Sequence, residues 1–179
     1  MTSLAATVMQ FKEALERLRK HPEFVAWEIE NPEHYLAHGF LMRGGSFVEE
    51  WQIGFYNKKE DRIVVFTIGE NVTKNPPSEL FKKESGVKPL DIASVSTDAK
   101  EALDAAEKYR QEHFKAHVPQ QTIVLLQHLQ AGQVWNITFI TEKFTVVNIK
   151  LDTTDLSVKS ATCESLMGWG EAVKGERKR

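Results

Sequence analysis

The chain of 179 residues holds a single cysteine, Cys163. An intramolecular disulfide is therefore excluded, and packing and hydrogen bonding must hold the fold. A dominant charge is equally lacking. Lysine and arginine number 23 against 25 aspartates and glutamates, a formal net charge of −2. That balance supplies no long-range field for nucleic acid or an anionic lipid surface. Long apolar runs are missing too. The stretch Met1–Met9 has no basic region at its start, and Lys12 and Glu13 cut its apolar character short. It fails both as a secretory signal and as a membrane span. The expectation is a cytoplasmic protein with no nucleic-acid partner and no membrane partner. No catalytic or ligand-binding motif stands out, and Gly44-Gly45 lacks the surroundings of a phosphate loop and reads as a turn.

What remains is ordinary globular composition, 41% hydrophobic and 27% charged, which argues against wholesale disorder. Leu4, Val8, Phe11, Leu15 and Leu18 recur at three- and four-residue steps, with charged residues mostly between them. That spacing predicts a helix capped by Thr2 or Ser3 and ended or kinked by Pro22. A further helical turn or two is expected over Glu23 to Glu30, with Phe24 and Trp27 inward. Tyr35 to Met42 is read as a strand, because its counterpart Thr122 to Gln130 is rich in Ile, Val and Leu.

Period-two alternation is strongest from Phe47 to Phe55 and from Trp135 to Ile149. Each run contains a tryptophan, an isoleucine and a phenylalanine at alternate positions, and each returns through a polar turn. The first half continues through Arg62 to Gly69, a long connection over 71–88 with one helical turn capped by Ser78, and a strand at Pro89–Val95. Ser96 or Thr97 is then expected to cap a second helix, with Asp98 and Glu101 in its first turn and Ala99, Ala102, Leu103, Ala106, Tyr109 and Phe114 buried. Strands follow at Thr122 to Gln130, Val134 to Thr141, Phe144 to Leu151 and Leu156 to Cys163.

The expected fold class is α+β: two α-β-β-β-β units from an internal duplication, each a helix packed across an antiparallel sheet, with the halves either packing together or extending one continuous sheet. The first unit spans 1–96, the second 97–167, and 168–179 forms a mobile charged tail. At Trp135 to Ser160 the strand pattern resembles the end of a PepSY-like domain. Trp135-Asn136-Ile137-Thr138-Phe139 leads to Val146-Val147-Asn148-Ile149-Lys150-Leu151-Asp152, and then to Asp155-Leu156-Ser157-Val158. Similarity to that family implies a helix-across-a-sheet (PepSY/cystatin-like) fold and a role in binding or inhibition rather than catalysis. The family's glycine in the last turn is replaced here by Leu156 or Ser157, and no functional residue carries over.

Several side chains were weighed as sites. His113 and His117 are four apart near a predicted helix end, so both rings could face one metal ion, completed by Glu112, His128 or Cys163. Solvated imidazoles at the negative end of a helix explain them as well, and no metal site is assigned. His34 and His38 in a strand would stand ~13 Å apart, at ~3.3 Å per residue, too far to share an ion. Cys163 would act as a nucleophile only with a base and an orienting group beside it. Without a flanking signature it reads as a small core residue of the last strand. Trp51 and Trp135, with Phe55 and Phe139, read as core rather than as an aromatic pocket, while Trp169 is a candidate partner anchor. The acceptor-like runs Asn71-Val72-Thr73 and Asn136-Ile137-Thr138 are set aside, and Lys174, Arg177, Lys178 and Arg179 are diluted by Glu171 and Glu176.

With no catalytic, cofactor-binding or metal-binding residue assigned, the leading expectation is a non-enzymatic binding or regulatory protein. It would take a protein or peptide partner on a sheet face or edge. A small-molecule site or undetected active site in a cleft between the halves is the second reading. A homodimer through exposed edges is the third.

Overall fold

A computed structural model describes residues 9–46, 48–79 and 86–166, with the backbone alone at 78 and 79. The expected cap at Thr2 or Ser3, Trp169 and the charged tail lie outside these residues. Helix α1 (Phe11–Lys20) buries Phe11, Ala14, Leu15 and Leu18, the stripe that the periodicity marks. His21 is extended and Pro22 takes the first position of α2 (Pro22–Glu30), where its missing N–H leaves no partner unpaired. Strands β1 (His34–Arg43), β2 (Trp51–Asn57), β3 (Arg62–Ile68), β4 (Val72–Lys74) and β5 (Ser78–Glu79) follow. A 3₁₀ turn at Ile92–Ser94 leads to α3 (Ala99–His113), then to β6 (Pro119–Leu129), β7 (Gly132–Thr141), β8 (Thr145–Asp152) and β9 (Val158–Ser165).

The nine strands among the described residues form one sheet in the order β4-β3-β2-β1-β6-β7-β8-β9, with β5 beside β3. Every pairing is antiparallel. This overturns the expectation of two helix-across-a-sheet units: of the two arrangements expected for the halves, they take the single continuous sheet. β1 and β6 pair directly, from His38 opposite Gln127 to Arg43 opposite Thr122. In separate units both would be long edges with unpaired amides and carbonyls, and joining them removes both edges. Pro89–Val95 is not a strand: Asp91 instead caps the 3₁₀ turn by accepting from the Ala93 amide. The fourth strand of the first half is β4, inside the connection expected over 71–88; Ser78, the expected cap of a helical turn, lies in β5, and residues 80–85 lie outside the described ones. The cap of α3 is Asp98 rather than Ser96 or Thr97. Its carboxylate accepts from the Glu101 amide and the Glu101 carboxylate accepts from the Asp98 amide, a reciprocal capping box.

All three helices contribute to one apolar cluster on a single face of the sheet. Trp51, Ile53 and Phe55 of β2 stand opposite Ile68, Phe66 and Val64 of β3. Trp135, Ile137 and Phe139 of β7 stand opposite Leu151, Ile149 and Val147 of β8 in the same manner. Phe24 and Trp27 of α2 add ring contacts to Phe55 and Phe66, at centroid distances of 5.0 to 5.6 Å. Gly39 lies beneath α1, and a Cβ there would come within 2.1 Å of the Phe11 ring. Glycine thus lets the helix seat on β1. Leu156, in the turn before β9, adopts φ +60°, a left-handed backbone that costs a non-glycine residue roughly 1 kcal/mol. Its side chain packs against the main core.

Candidate functional site

The second face of the sheet is covered by no described helix. Residues of β1, β6, β7 and β8 that alternate with the core residues point to this side and are half-buried. At the β1–β6 seam Phe40 is opposite Leu125 and Met42 is opposite Ile123. Two cross-strand apolar pairs therefore sit side by side in the middle of the uncovered face. Polar groups border them. Gln52 is opposite Phe40 on β2, and Asn136 and Thr138 are opposite Leu125 and Ile123 on β7. Beyond these, Asn148 donates to Asn136 Oδ1 at 2.6 Å and to Thr138 Oγ1 at 2.8 Å. Lys150 donates to Asn148 Oδ1 at 2.8 Å, so the ladder ends in a cation. Its side-chain amides are fixed by one another and hold their orientation on a flat surface. A small second cluster of Ala37, Tyr56 and Ile63, joined by Tyr35, Val65 and Val87, covers another part of this face.

His38 lies on the same side as Phe40, and its ring occupies the space above Gly54, where a Cβ would come within 2.2 Å of it. Burial disfavours the charged imidazole and lowers its pKa from 6.5 to about 4. His34 goes the other way and meets Trp27 edge-on at 5.0 Å. A bulge between Leu36 and His38 changes the alternation, so the two rings lie on opposite faces of the sheet.

A pocket of about 240 Å³ opens on the helical side. Its walls are the start of α1 (Gln10, Phe11, Lys12), the segment Val95–Asp98, Glu101 of α3 and Trp135. Most of its polar groups are already engaged. Lys12 Nζ donates to the Val95 carbonyl at 2.6 Å, Trp135 donates to Thr97 Oγ1 at 3.0 Å, and Asp98 and Glu101 form the capping box. The side-chain oxygen of Gln10 is buried without a hydrogen-bond partner among the described residues.

The histidine pair of α3 separates. His113 stacks on Tyr109 at a centroid distance of 4.2 Å. His117 lies past the helix end, with Nδ1 2.9 Å from Thr145 Oγ1 and Nε2 3.7 Å from Cys163 Sγ. His128 Nδ1 is 2.7 Å from the Pro89 carbonyl, and Glu112 is exposed. Among the described residues no three His, Cys, Asp or Glu side chains gather into a metal-binding group. Cys163 is exposed rather than core. It faces Val147 across the pairing of β8 with the edge strand β9, whose side chains are largely in water. Trp51 and Trp135 are each 1% exposed, in keeping with core positions.

Arg110 is a buried charge that the sequence did not single out. It donates to both carboxylate oxygens of Glu107, at 2.8 and 2.6 Å, and to the His117 carbonyl at 2.9 Å. The guanidinium holds the Glu107 carboxyl below its ordinary range. Arg110 thereby ties the turn carrying His117 to α3. Its position among the alanines of a helix gives no hint of that role, because the partner is a backbone carbonyl.

No protein-family model matches the chain, and no curated protein matches it. Among solved structures it is similar to a putative lipoprotein from Clostridium difficile 630. The likeness has a TM-score of 0.57 and 12% identity, and it covers 88% of this chain and 94% of that one. At such identity it establishes a shared fold. No helix among the described residues is long and apolar enough to cross a membrane.

Proposed function

We propose that this chain is a non-enzymatic binding protein whose uncovered sheet face takes a protein or peptide partner. The observation that carries the reading is the pairing of Phe40 with Leu125 and Met42 with Ile123 at the seam, bordered by Gln52 and by the Asn136-Thr138-Asn148-Lys150 ladder. An apolar centre inside a hydrogen-bonding rim is the usual anatomy of a protein interface. A sheet face with apolar side chains that no described helix covers is likewise a common mark of one. Lys150 favours a partner that presents a carboxylate beside its apolar contact.

The test compares affinity capture from native lysate by the wild-type chain and by Leu125→Asp, with circular dichroism to check that both fold. A partner recovered by the wild type and lost by the variant supports the reading. Equal recovery by both, or no partner for the wild type, overturns it.

The pocket between α1 and α3 favours a second reading, a small-molecule binder. At about 240 Å³ it lies below the roughly 300–1,000 Å³ of drug-sized sites, so its ligand would be small. A compound that raises the melting temperature of the wild type but not of Ser96→Trp would favour this reading over the first.

A further inference from the structure

Three side chains from three separate elements meet at the outer end of α3. Cys163 lies on the edge strand β9, His117 in the turn after α3, and Thr145 at the start of β8. The imidazole stands between the other two, Nε2 at 3.7 Å from the thiol sulfur and Nδ1 at 2.9 Å from the Thr145 hydroxyl. Thr145 Oγ1 is in turn 2.5 Å from Thr141 Oγ1. The backbone of His117 is held independently by Arg110. A nucleophile, a base within reach of its proton and a group that orients the base are the parts of an activated thiol. When Nδ1–H donates to Thr145, Nε2 is left as an acceptor facing the sulfur.

Exposed apolar residues also occupy chain positions next to this group. Val118 follows His117 in the chain and is 58% exposed, while Phe144 precedes Thr145 and is 63% exposed. Leu166, 37% exposed, donates its amide to the Phe144 carbonyl at 2.8 Å. Exposed apolar side chains at the positions flanking His117 and Thr145 offer a surface for the organic part of a reagent.

We propose that Cys163 is a histidine-assisted thiol that exchanges with small organic disulfides bearing apolar groups. The Cys163 proton passes to His117 Nε2 as Sγ attacks one sulfur of the reagent. The reagent's S–S bond breaks and a mixed disulfide forms on Cys163. The departing thiolate takes the proton back from the imidazolium. Cys163 is oxidised, the leaving sulfur is reduced, and no other reactant is needed.

Because Cys163 is the only cysteine, release of pyridinethione from 2,2′-dithiodipyridine reports on this site alone. Rates would be followed from pH 5 to 9 for the folded wild type, His117→Gln, Thr145→Val and the wild type unfolded in urea. The wild type is expected to react roughly tenfold faster near neutrality than His117→Gln and than the unfolded chain, with a shallower rise with pH. Thr145→Val should fall between, since it keeps the base and loses its orientation. Circular dichroism confirms that each variant is folded. Equal rates and parallel pH profiles for wild type and His117→Gln, or a folded rate no higher than the unfolded one, overturn the proposal.

Discussion

Trp135 donates its indole N–H to Thr97 Oγ1 at 3.0 Å, and Thr97 stands two residues before the first turn of α3. Thr97 Oγ1 passes the hydrogen bond on to the Thr153 carbonyl at 2.9 Å. Trp51 makes the matching contact in the other half of the sheet, donating at 2.7 Å to the carbonyl of Met9, which likewise lies two residues before α1. Each tryptophan therefore does two jobs: its ring fills the core and its one polar atom fixes where a helix begins.

Replacing Thr97 by Val leaves the buried indole N–H without its acceptor. We expect a loss of about 1–3 kcal/mol in urea unfolding. In a double-mutant cycle with Trp135→Phe, the pair should cost less than the sum of the single changes, because one contact is shared. Strict additivity would mean that the contact contributes nothing to stability.

Gly39→Ala places a methyl group within 2.1 Å of the Phe11 ring. Either α1 shifts or Phe11 leaves its rotamer, at a cost of roughly 1–3 kcal/mol. Trimming the ring with Phe11→Leu in the Gly39→Ala background should recover part of the loss. A Gly39→Ala protein as stable as the wild type would contradict the close approach.

Much of this architecture was legible in the residues. The stripe on α1 and the alternation of Trp51-Ile53-Phe55 and Trp135-Ile137-Phe139 follow from local period, and the choice of strand over helix at Tyr35 to Met42 follows from its apolar counterpart Thr122 to Gln130. The partner of a strand does not. Nothing in the His38 to Arg43 run says that its second neighbour is Thr122 to Gln127, since an apolar run can equally face a strand of its own half. Hence the residues left open whether the halves share one sheet, and the β1–β6 pairing joins them. Pro89–Val95 misled for a related reason: its apolar residues Leu90 and Val95 do reach the core, but from a turn rather than a strand. Similarly, the Cys163–His117 pair joins positions 46 residues apart with no shared motif.

Acid should weaken the fold in two separate windows. The folded pKa of His38 is lowered from 6.5 to about 4, so the unfolded chain takes up a proton first. Stability is complete above pH 6.5, falls as the pH drops towards 4, and is lowered by about 3 kcal/mol below that if the full shift is realised. His38→Phe should flatten the urea midpoint across this window. Asp152 is held at about 2 rather than 3.8 by the Thr154 hydroxyl and amide and by Lys159. Its contribution is present above 3.8 and is lost only as the pH falls towards 2. A midpoint in the wild type that stays level from pH 6.5 to 4 would rule out the buried neutral His38.

Removing the α3 cap tests the helix start directly. Asp98→Ala breaks the box with Glu101 and should cost about 1 kcal/mol. Asp98→Ser, which keeps an acceptor, should restore most of it. Similar losses for both would show that the carboxylate matters for its charge rather than as an acceptor.

The seam between β1 and β6 also sets a kinetic condition. Neighbours such as β2 with β3, or β7 with β8, are joined by short turns and can form as hairpins on the order of microseconds. His38 and Gln127 pair in the centre of the sheet only after the 88 residues between them have been brought round, and such long-range closure slows folding. Until it happens, the central strands are raw edges with apolar residues on both sides. The protein is most exposed to mispairing with another copy of itself during that interval, as it folds.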